Sequence, residues 1–316
     1  MEAYLLNLGV LVSIYAILAV TLNFIMGYAG IFSLAHAVFF GVGAYVGAQM
    51  AMHVSASLFV TIPAAMVVAA LLSLALALPA LRVRGEYFVA ASLGLQMLAI
   101  TVFSEWKGAT GGIGGLVGIP AVRMFGEDIY RPAAFFPLAA AVAVLVLIVT
   151  RLLVHSSFGR SLTAIRDSES AAESFGKNIA LIKTISVVVS AALAAVAGVL
   201  YANYLSFINV ESFTLNTSVL VMAMVIIGGT GTALGPVVGA ALLLILPGLL
   251  SYLWFLPQTE IGAIQQIIYG LGMAVLMIFR PGGLVGRSAG ARKRRKRDAL
   301  KAAAGQSEAR KMEGAK

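Results

Sequence analysis

The sequence predicts an all-α integral membrane protein of about nine transmembrane helices (eight to ten), some of them interrupted by glycine. Three observations predict it. The first is composition: the chain is 60% hydrophobic and only 11% charged, with mean hydropathy +0.97. Soluble domains run near half apolar and about a quarter charged. That contrast excludes a soluble globular enzyme and a disordered chain. The second is the recurrence of apolar stretches close to the roughly 20 residues that a helix needs to cross a bilayer. The third is uneven charge. Residues 287–316 hold 11 Lys/Arg against 3 Asp/Glu, while residues 1–286 hold 11 against 10. With no cysteine in the chain, disulfides, thiolate metal sites and a cysteine nucleophile are excluded.

The first stretch, 4–26, follows Glu2 rather than a basic segment and lacks a small-x-small cleavage site, so it reads as a retained span and not a cleaved signal. Further stretches cover 31–52, 58–80, 86–105, 133–154 and 182–207. A shorter, glycine-interrupted one covers 218–235, and 236–256 and 261–279 complete the set. Each must pair its backbone groups internally, which in a single segment means a helix. The strict alternation of a membrane β-barrel is absent. Lys and Arg favour cytoplasmic loops. They gather in 81–86 (Arg82, Arg84), in 151–183 (Arg151, Arg160, Arg166, Lys177, Lys183) and in the tail. Nine spans put all three on the cytoplasmic side, with the N-terminus outside and the C-terminus inside. Omitting 218–235 would put the basic tail outside. The loop 106–132 then faces outward, its Lys107, Arg123 and Arg131 offset by Glu127 and Asp128. Residues 1–286 therefore form one polytopic transmembrane domain with a cytoplasmic loop at 155–181. Residues 287–316 form a basic, disordered cytoplasmic tail. Its run Arg292-Lys-Arg-Arg-Lys-Arg297 follows an apolar body, so it is expected to anchor on anionic membrane lipid and not to bind nucleic acid.

The predicted spans contain no Asp, and Glu86, Glu105, Glu211 and Glu260 lie at edges or in loops. His36 is the one readily ionisable side chain well inside a span. Proton-driven carriers usually rely on intramembrane carboxylates or histidines. Intramembrane hydrolysis needs an activated nucleophile or a metal set. Neither constellation is present, so no catalytic or metal-binding residues are assigned. For His36, Asn23 and Gln96 the structural reading, a side chain tying helices together for about 1 kcal/mol or less, outweighs a place on a substrate path. Gly43 and Gly47, Gly235 and Gly239, and the run Ala191, Ala194, Ala195, Gly198 predict faces of close helix packing. Two breaks are more telling: Gly27-Tyr-Ala-Gly30, and Gly228-Gly-Thr-Gly231 followed by Gly235-Pro236. Interrupted helices in matching positions point to a transport site near mid-membrane. The candidate pathway residues are thus Asn23, Gly30, Ser33, His36, Gln96, Gly228, Gly229, Thr230 and Gly231. The glycine-rich outward loop, 108–118, lacks the Gly-Lys-Ser/Thr of a phosphate loop and reads as turn or re-entrant backbone near a cavity mouth.

Residues 159–177 read as a short amphipathic helix between Gly159 and Gly176. Leu162, Ile165, Ala172 and Phe175 share one face, and Arg166, Asp167, Glu169 and Glu173 the other. Mixed charge and a short apolar face suit a groove in a protein partner better than a lipid surface.

This segment resembles the coupling loop of ABC-importer permeases, whose signature is Glu-Ala-Ala, three residues, Gly. Ala171-Ala172 and Gly176 match, while Ser170 replaces the Glu and Glu169 stands one position earlier. Other stretches are similar to branched-chain amino-acid permeases of the LivM type. They are Gly30-Ile-Phe-Ser-Leu-Ala-His36 onward to Tyr45, Leu81-Arg-Val-Arg-Gly85-Glu-Tyr-Phe88, Thr110-Gly-Gly-Ile-Gly-Gly-Leu116, Gly228 to Ala240, and Phe279-Arg-Pro-Gly-Gly-Leu284. The resemblance runs from about residue 20 to 286 and implies a type II ABC-importer permease fold in a bacterial or archaeal cytoplasmic membrane. It also implies a second permease of the LivH type, two cytoplasmic ATPase subunits carrying ATP and Mg, and an extracytoplasmic solute-binding protein. This chain would hold no cofactor, and its substrates would be branched-chain or other hydrophobic amino acids. ATPase closure would pull helix 161–176 as a lever. Ile165, Ala172 and Phe175 would fill the ATPase groove, with Arg166, Asp167 and Glu169 at its rim and Ala171, Glu173 and Gly176 completing the helix. The same class acting on urea, short amides or small carboxylates stays open. So do a stand-alone channel and a sodium-coupled carrier.

Overall fold

Because lipid offers the backbone no hydrogen-bond partners, an apolar chain of this length is driven into helices. A computed structural model describes residues 2–80, 86–124, 127–129, 131–251, 261–279 and 282–286. Arg82, Arg84, the 81–85 part of one motif, Arg280-Pro281 and the tail 287–316 lie outside the described residues.

A helix lies in each of the nine apolar stretches. In chain order, α1 (Glu2–Asn23) passes into a single π-helical turn, Phe24–Tyr28. Then come α2 (His36–His53), α3 (Leu58–Ala80) and α4 (Glu86–Glu105). The connection that follows holds a one-turn helix α5 (Lys107–Thr110) and strands β1 (Leu116–Val117), β2 (Val122–Met124) and β3 (Glu127–Ile129). After α6 (Pro132–His155) lie two short helices, α7 (Ser157–Asp167) and α8 (Glu169–Ser174). The chain continues through α9 (Ile179–Leu205), β4 (Phe207–Ile208), α10 (Leu215–Gly228), α11 (Gly235–Ser251) and α12 (Ile261–Phe279). Among the described residues five segments are long and apolar enough to cross a membrane: Tyr4–Tyr28, Leu58–Ala75, Tyr87–Glu105, Pro132–His155 and Ile179–Leu205. At 14 residues, α10 is about 21 Å long, shorter than a hydrocarbon core of about 30 Å.

The second stretch begins later than expected, at His36 and not at residue 31. Gly30 turns the chain in the left-handed region (φ 71°). The amide of Ile31 goes to the Ile25 carbonyl, and those of Leu34 and Ala35 to the hydroxyls of Ser92 and Ser33, so these amides are paired without a helix.

The core centres on α9, which packs on α2, α3 and α1, while α1 also packs on α6 and α11. The small-residue faces explain the closeness. A Cβ on Gly43 would run into the backbone of Ala195, and one on Gly198 into the carbonyl of Phe40. Gly239 lies as tightly against Met224 of α10. These are the packing faces that the spacing predicts. Around the rim of the bundle, Val67, Leu71, Leu98, Leu145 and Leu152 are exposed, as side chains meeting lipid tails are.

The loop read as turn or re-entrant backbone is a series of turns pinned across the bundle end where α4 and α9 stop. β1 pairs antiparallel with β4, and the amides of Gly118 and Ile119 both reach the carbonyl of Ser206. β2 and β3 form a small hairpin. No strand is expected from the glycine-rich sequence, because each ladder is only two or three residues long. Beneath them Phe40, Tyr45, Phe103, Tyr201 and Phe213 make edge-to-face and, between Tyr45 and Phe103, tilted contacts, with ring centroids 5.0–6.3 Å apart.

Candidate functional site

Two of the sequence features meet at the opposite end of the bundle, where α1 finishes and α7 and α8 lie. The first helix break, at 24–31, touches the second, at 229–234. Gly27 sits so close to Gly231 that a Cβ would overlap the Gly231 backbone nitrogen. Gly231 itself adopts φ 71°, a conformation that costs glycine little. The two breaks are clasped by Asn23, which is 3% exposed. Its Nδ2 donates to the carbonyl of Thr232 at 2.9 Å, and its Oδ1 accepts from the amide of Gly231 at 2.8 Å. One side-chain amide thereby replaces a rung of backbone pairing between two interrupted helices.

A third segment closes the same joint. The amides of Leu284 and Val285 donate to the carbonyls of Ile227 and Gly228 at 2.9 and 3.0 Å. These carbonyls belong to the last turn of α10, where the helix offers no partner of its own. The stretch Phe279-Arg-Pro-Gly-Gly-Leu284, prominent in the sequence but without a role there, contributes this contact.

The polar residues expected along a pathway are enclosed. Gln96 is fully buried; its Nε2 donates to the Phe213 carbonyl and its Oε1 accepts from Ser218 Oγ. Ser218 Oγ in turn accepts from the amide of Ala37. His36 is buried, with Nε2 3.0 Å from Thr21 Oγ1, and Ser190 Oγ reaches the Thr21 carbonyl. Ser33 is buried against Ala35. These side chains, and Asn23 with them, knit α1, α2, α4, α9 and α10 together, the tying role that the sequence favours for His36, Asn23 and Gln96. Each has at least one partner inside the chain, as desolvated polar groups require, while His36 Nδ1 is buried without one among the described residues. Of the glycine-break residues, Gly228 and Gly229 are buried, Thr230 and Gly231 half-buried, and Gly30 exposed. A recess beside the joint is lined by Asn23, Tyr28, Thr150, Arg151, His155 and Ala233, among others.

The stretch expected to form one coupling helix is two helices. Ser168 adopts an extended conformation between α7 and α8, and its hydroxyl caps the amide of Ala171, a preferred serine role. Gly159 does not start the helix: Ser156 caps it two residues earlier, at Ser157. Gly176 ends the segment at φ 73°, as a glycine stop should. The faces also differ from expectation. Leu162, Ile165 and Ala172 are at most 4% exposed and pack into the chain, while Phe175 is 85% exposed. Ile165 and Ala172 therefore do not fill a partner's groove in this arrangement, because α7 and α8 use them to dock on their own bundle. Glu169 pairs with Lys183 of α9 at 2.5 Å. Asp167 pairs with Arg166 at 2.9 Å. Ala171 and Glu173 lie on the exposed side. Arg166 turns inward, its Nη1 donating to the carbonyl of Gly27 at 2.7 Å. That inward turn was not legible in the sequence, where Arg166 falls on the polar face.

Residues 4–279 match the family described as the permease component of branched-chain amino acid transport systems. The chain is 30% identical to the high-affinity branched-chain amino acid transport system permease protein LivM of Escherichia coli K12, across 88% of this chain and 69% of that protein. It is 28% identical to the LivM protein of Salmonella typhimurium LT2 over the same shares. It is 27% identical to a probable LivM of Methanocaldococcus jannaschii, over 66% of this chain and 62% of that one. No solved structure matches the chain. With a match that spans nearly all of the helical body, the chain belongs to the family of branched-chain amino acid transport permeases, as a multi-pass membrane component and not itself an enzyme.

Proposed function

We propose that this permease crosses the membrane nine times, N-terminus outside and C-terminus cytoplasmic, as one transmembrane subunit of an ATP-driven importer with a type II permease fold. A second permease of the LivH type pairs with it. Two cytoplasmic ATPases carry the ATP and Mg, and an extracytoplasmic binding protein delivers a branched-chain or other hydrophobic amino acid. The family match over residues 4–279 carries this reading. The interior supports it: the described apolar helices carry no carboxylate away from their ends, so the usual intramembrane acidic relay of a proton-driven carrier is missing there. Phe175, exposed on a segment otherwise docked to the bundle, supplies the apolar contact for the ATPase. Within this reading the joints at 27–31 and 228–235 adjoin the pathway, and Asn23, Ser33, His36 and Gln96 are its scaffold.

The test is purification of the tagged chain from native membranes in mild detergent, followed by reconstitution with the binding protein. A second permease and ATPase chains should co-purify, and leucine uptake should need ATP and stop with vanadate. Solute movement by the lone chain, indifferent to ATP and vanadate, would overturn it in favour of a channel or carrier.

A further inference from the structure

Arg166 differs from its neighbours Asp167 and Glu169 in where its side chain goes. Asp167 is 57% exposed at the side chain, against 31% for Arg166. Glu169 reaches only to Lys183 at the start of α9. The Arg166 stem instead crosses Gly30 so closely that a Cβ there would lie 2.9 Å from its Cγ. Its guanidinium is divided between two tasks. Nε and Nη2 donate to Asp167 Oδ1 at 3.1 and 2.9 Å, which fixes the plane of the fork. Nη1, thus aimed, donates to the Gly27 carbonyl. That carbonyl stands at the end of a helix, where orphan acceptors and the negative end of the dipole favour a cation. A Cβ on Gly231 would also lie 3.7 Å from Nη1. Gly27 and Gly231 are the two backbones that Asn23 clasps, so the guanidinium sits at the point where both joints are held as one.

We propose that Arg166 is the positioning residue through which α7 grips the paired joints, so that a displacement of the coupling segment moves the ends of α1 and α10 together. This rests on the reading of α7 and α8 as the segment that the ATPases move. Its geometry is a series of direct bonds: Arg166 to Gly27, Asn23 to Gly231 and Thr232, and Leu284 and Val285 to the end of α10. The hydrophobic contacts of Leu162 and Ile165 seat α7 on the bundle, and Arg166 adds the directional bond to the joint.

The test compares wild type, Arg166→Ala and Arg166→Lys in the assembled, reconstituted complex. Leucine uptake and binding-protein-stimulated ATP hydrolysis are measured on the same preparation and normalised to intact complex. Arg166→Ala should lower leucine taken up per ATP hydrolysed about tenfold, the usual scale of one coupling interaction, with hydrolysis itself kept within about twofold. Arg166→Lys keeps a charged donor for the Gly27 carbonyl but loses the fork, and should recover part of that ratio. A merely structural role would lower complex yield, uptake and hydrolysis in parallel and leave the ratio alone, and that result overturns the proposal. So does an unchanged ratio in Arg166→Ala. If the wild-type complex shows no ATP-dependent uptake, the importer reading itself fails and this proposal falls with it. A wild-type complex that works alongside an unaffected Ala variant removes this proposal alone.

Discussion

Replacing Asn23 tests whether the two glycine breaks are held together by one amide. Asn23→Ala removes two bonds, of 2.9 and 2.8 Å, and leaves the Thr232 carbonyl and the Gly231 amide without their partner. A net hydrogen bond is worth about 1 kcal/mol, but removing one side so that the buried partner is left unpaired costs about 1–3 kcal/mol per bond. Both bonds are only partly buried, so water can reach the orphans and the lower end applies. The expected loss is about 2–3 kcal/mol. At roughly 2–4 °C per kcal/mol, the figure for domains of about 150–250 residues, thermal unfolding of the full chain in one fixed detergent should fall by about 4–12 °C. Asn23→Leu separates the bonds from the space: it fills the volume and restores no bond, so it should fall nearly as far. Thr101→Ala, which deletes an exposed bond within α4, should stay within about 0.5 kcal/mol of wild type. A Leu variant as stable as wild type would show that Asn23 only fills space, and the clasp would be refuted.

Three further outcomes follow from packing and exposure. Gly43→Ala should destabilise by about 1–3 kcal/mol, because its new methyl meets the Ala195 backbone, whereas Gly94→Ala, with nothing within 4 Å, should be neutral or slightly stabilising; thermal unfolding of the pair in the same detergent checks this. Phe175→Ala, at a side chain 85% exposed, should leave the isolated chain's unfolding within about 0.5 kcal/mol of wild type while weakening recovery of ATPase chains on co-purification; an equal drop in the isolated chain would place Phe175 in the fold instead. Lys183→Ala breaks the pair with Glu169, whose carboxylate side chain is 53% exposed, and should cost no more than about 1 kcal/mol, shrinking as salt is raised in the unfolding buffer.

Much of the fold is legible because span length and glycine spacing are strong signals. The stretches at 58–80 and 86–105 become α3 and α4 with the same limits, since lipid permits no other backbone solution. The pair Gly43 and Gly47 predicts a close helix face, and α9 supplies the partner. Which helix would supply it was not legible, because small residues recur on several spans. The stretch of α7 and α8 shows the limit differently. Periodicity places Ile165, Ala172 and Phe175 together on one face, and the kink at Ser168 separates Phe175 from the other two. A serine there reads equally as a solvated helix residue or as a cap; only the extended backbone at Ser168 decides it. The short ladders β1–β4 and β2–β3 carry no sequence signal at all, being too short for an alternation to register.

Polar side chains in the spans were legible as structural, and the structure adds the reason they are tolerated. Gln96, Ser218 and the Ala37 amide form a chain in which each atom has a partner. A helix start at residue 31 would lose this arrangement, since the Ala37 amide would then be spent within its own helix. The late start of α2 and the burial of Gln96 are therefore one fact. The same logic holds at the other end. A carbonyl freed at Gly27 attracts Arg166, and carbonyls freed at the end of α10 attract residues 284–285. Glycine in this chain thus has two uses that spacing alone does not separate. Where the helix continues, as at Gly43, it brings another backbone close and the contact is apolar. Where the helix stops, as at Gly27, it also exposes acceptors, and a donor from a distant segment must come to meet them. Two identical letters in the sequence specify a packing face in one place and a polar joint in the other, and what distinguishes them is whether the backbone hydrogen bonds run on.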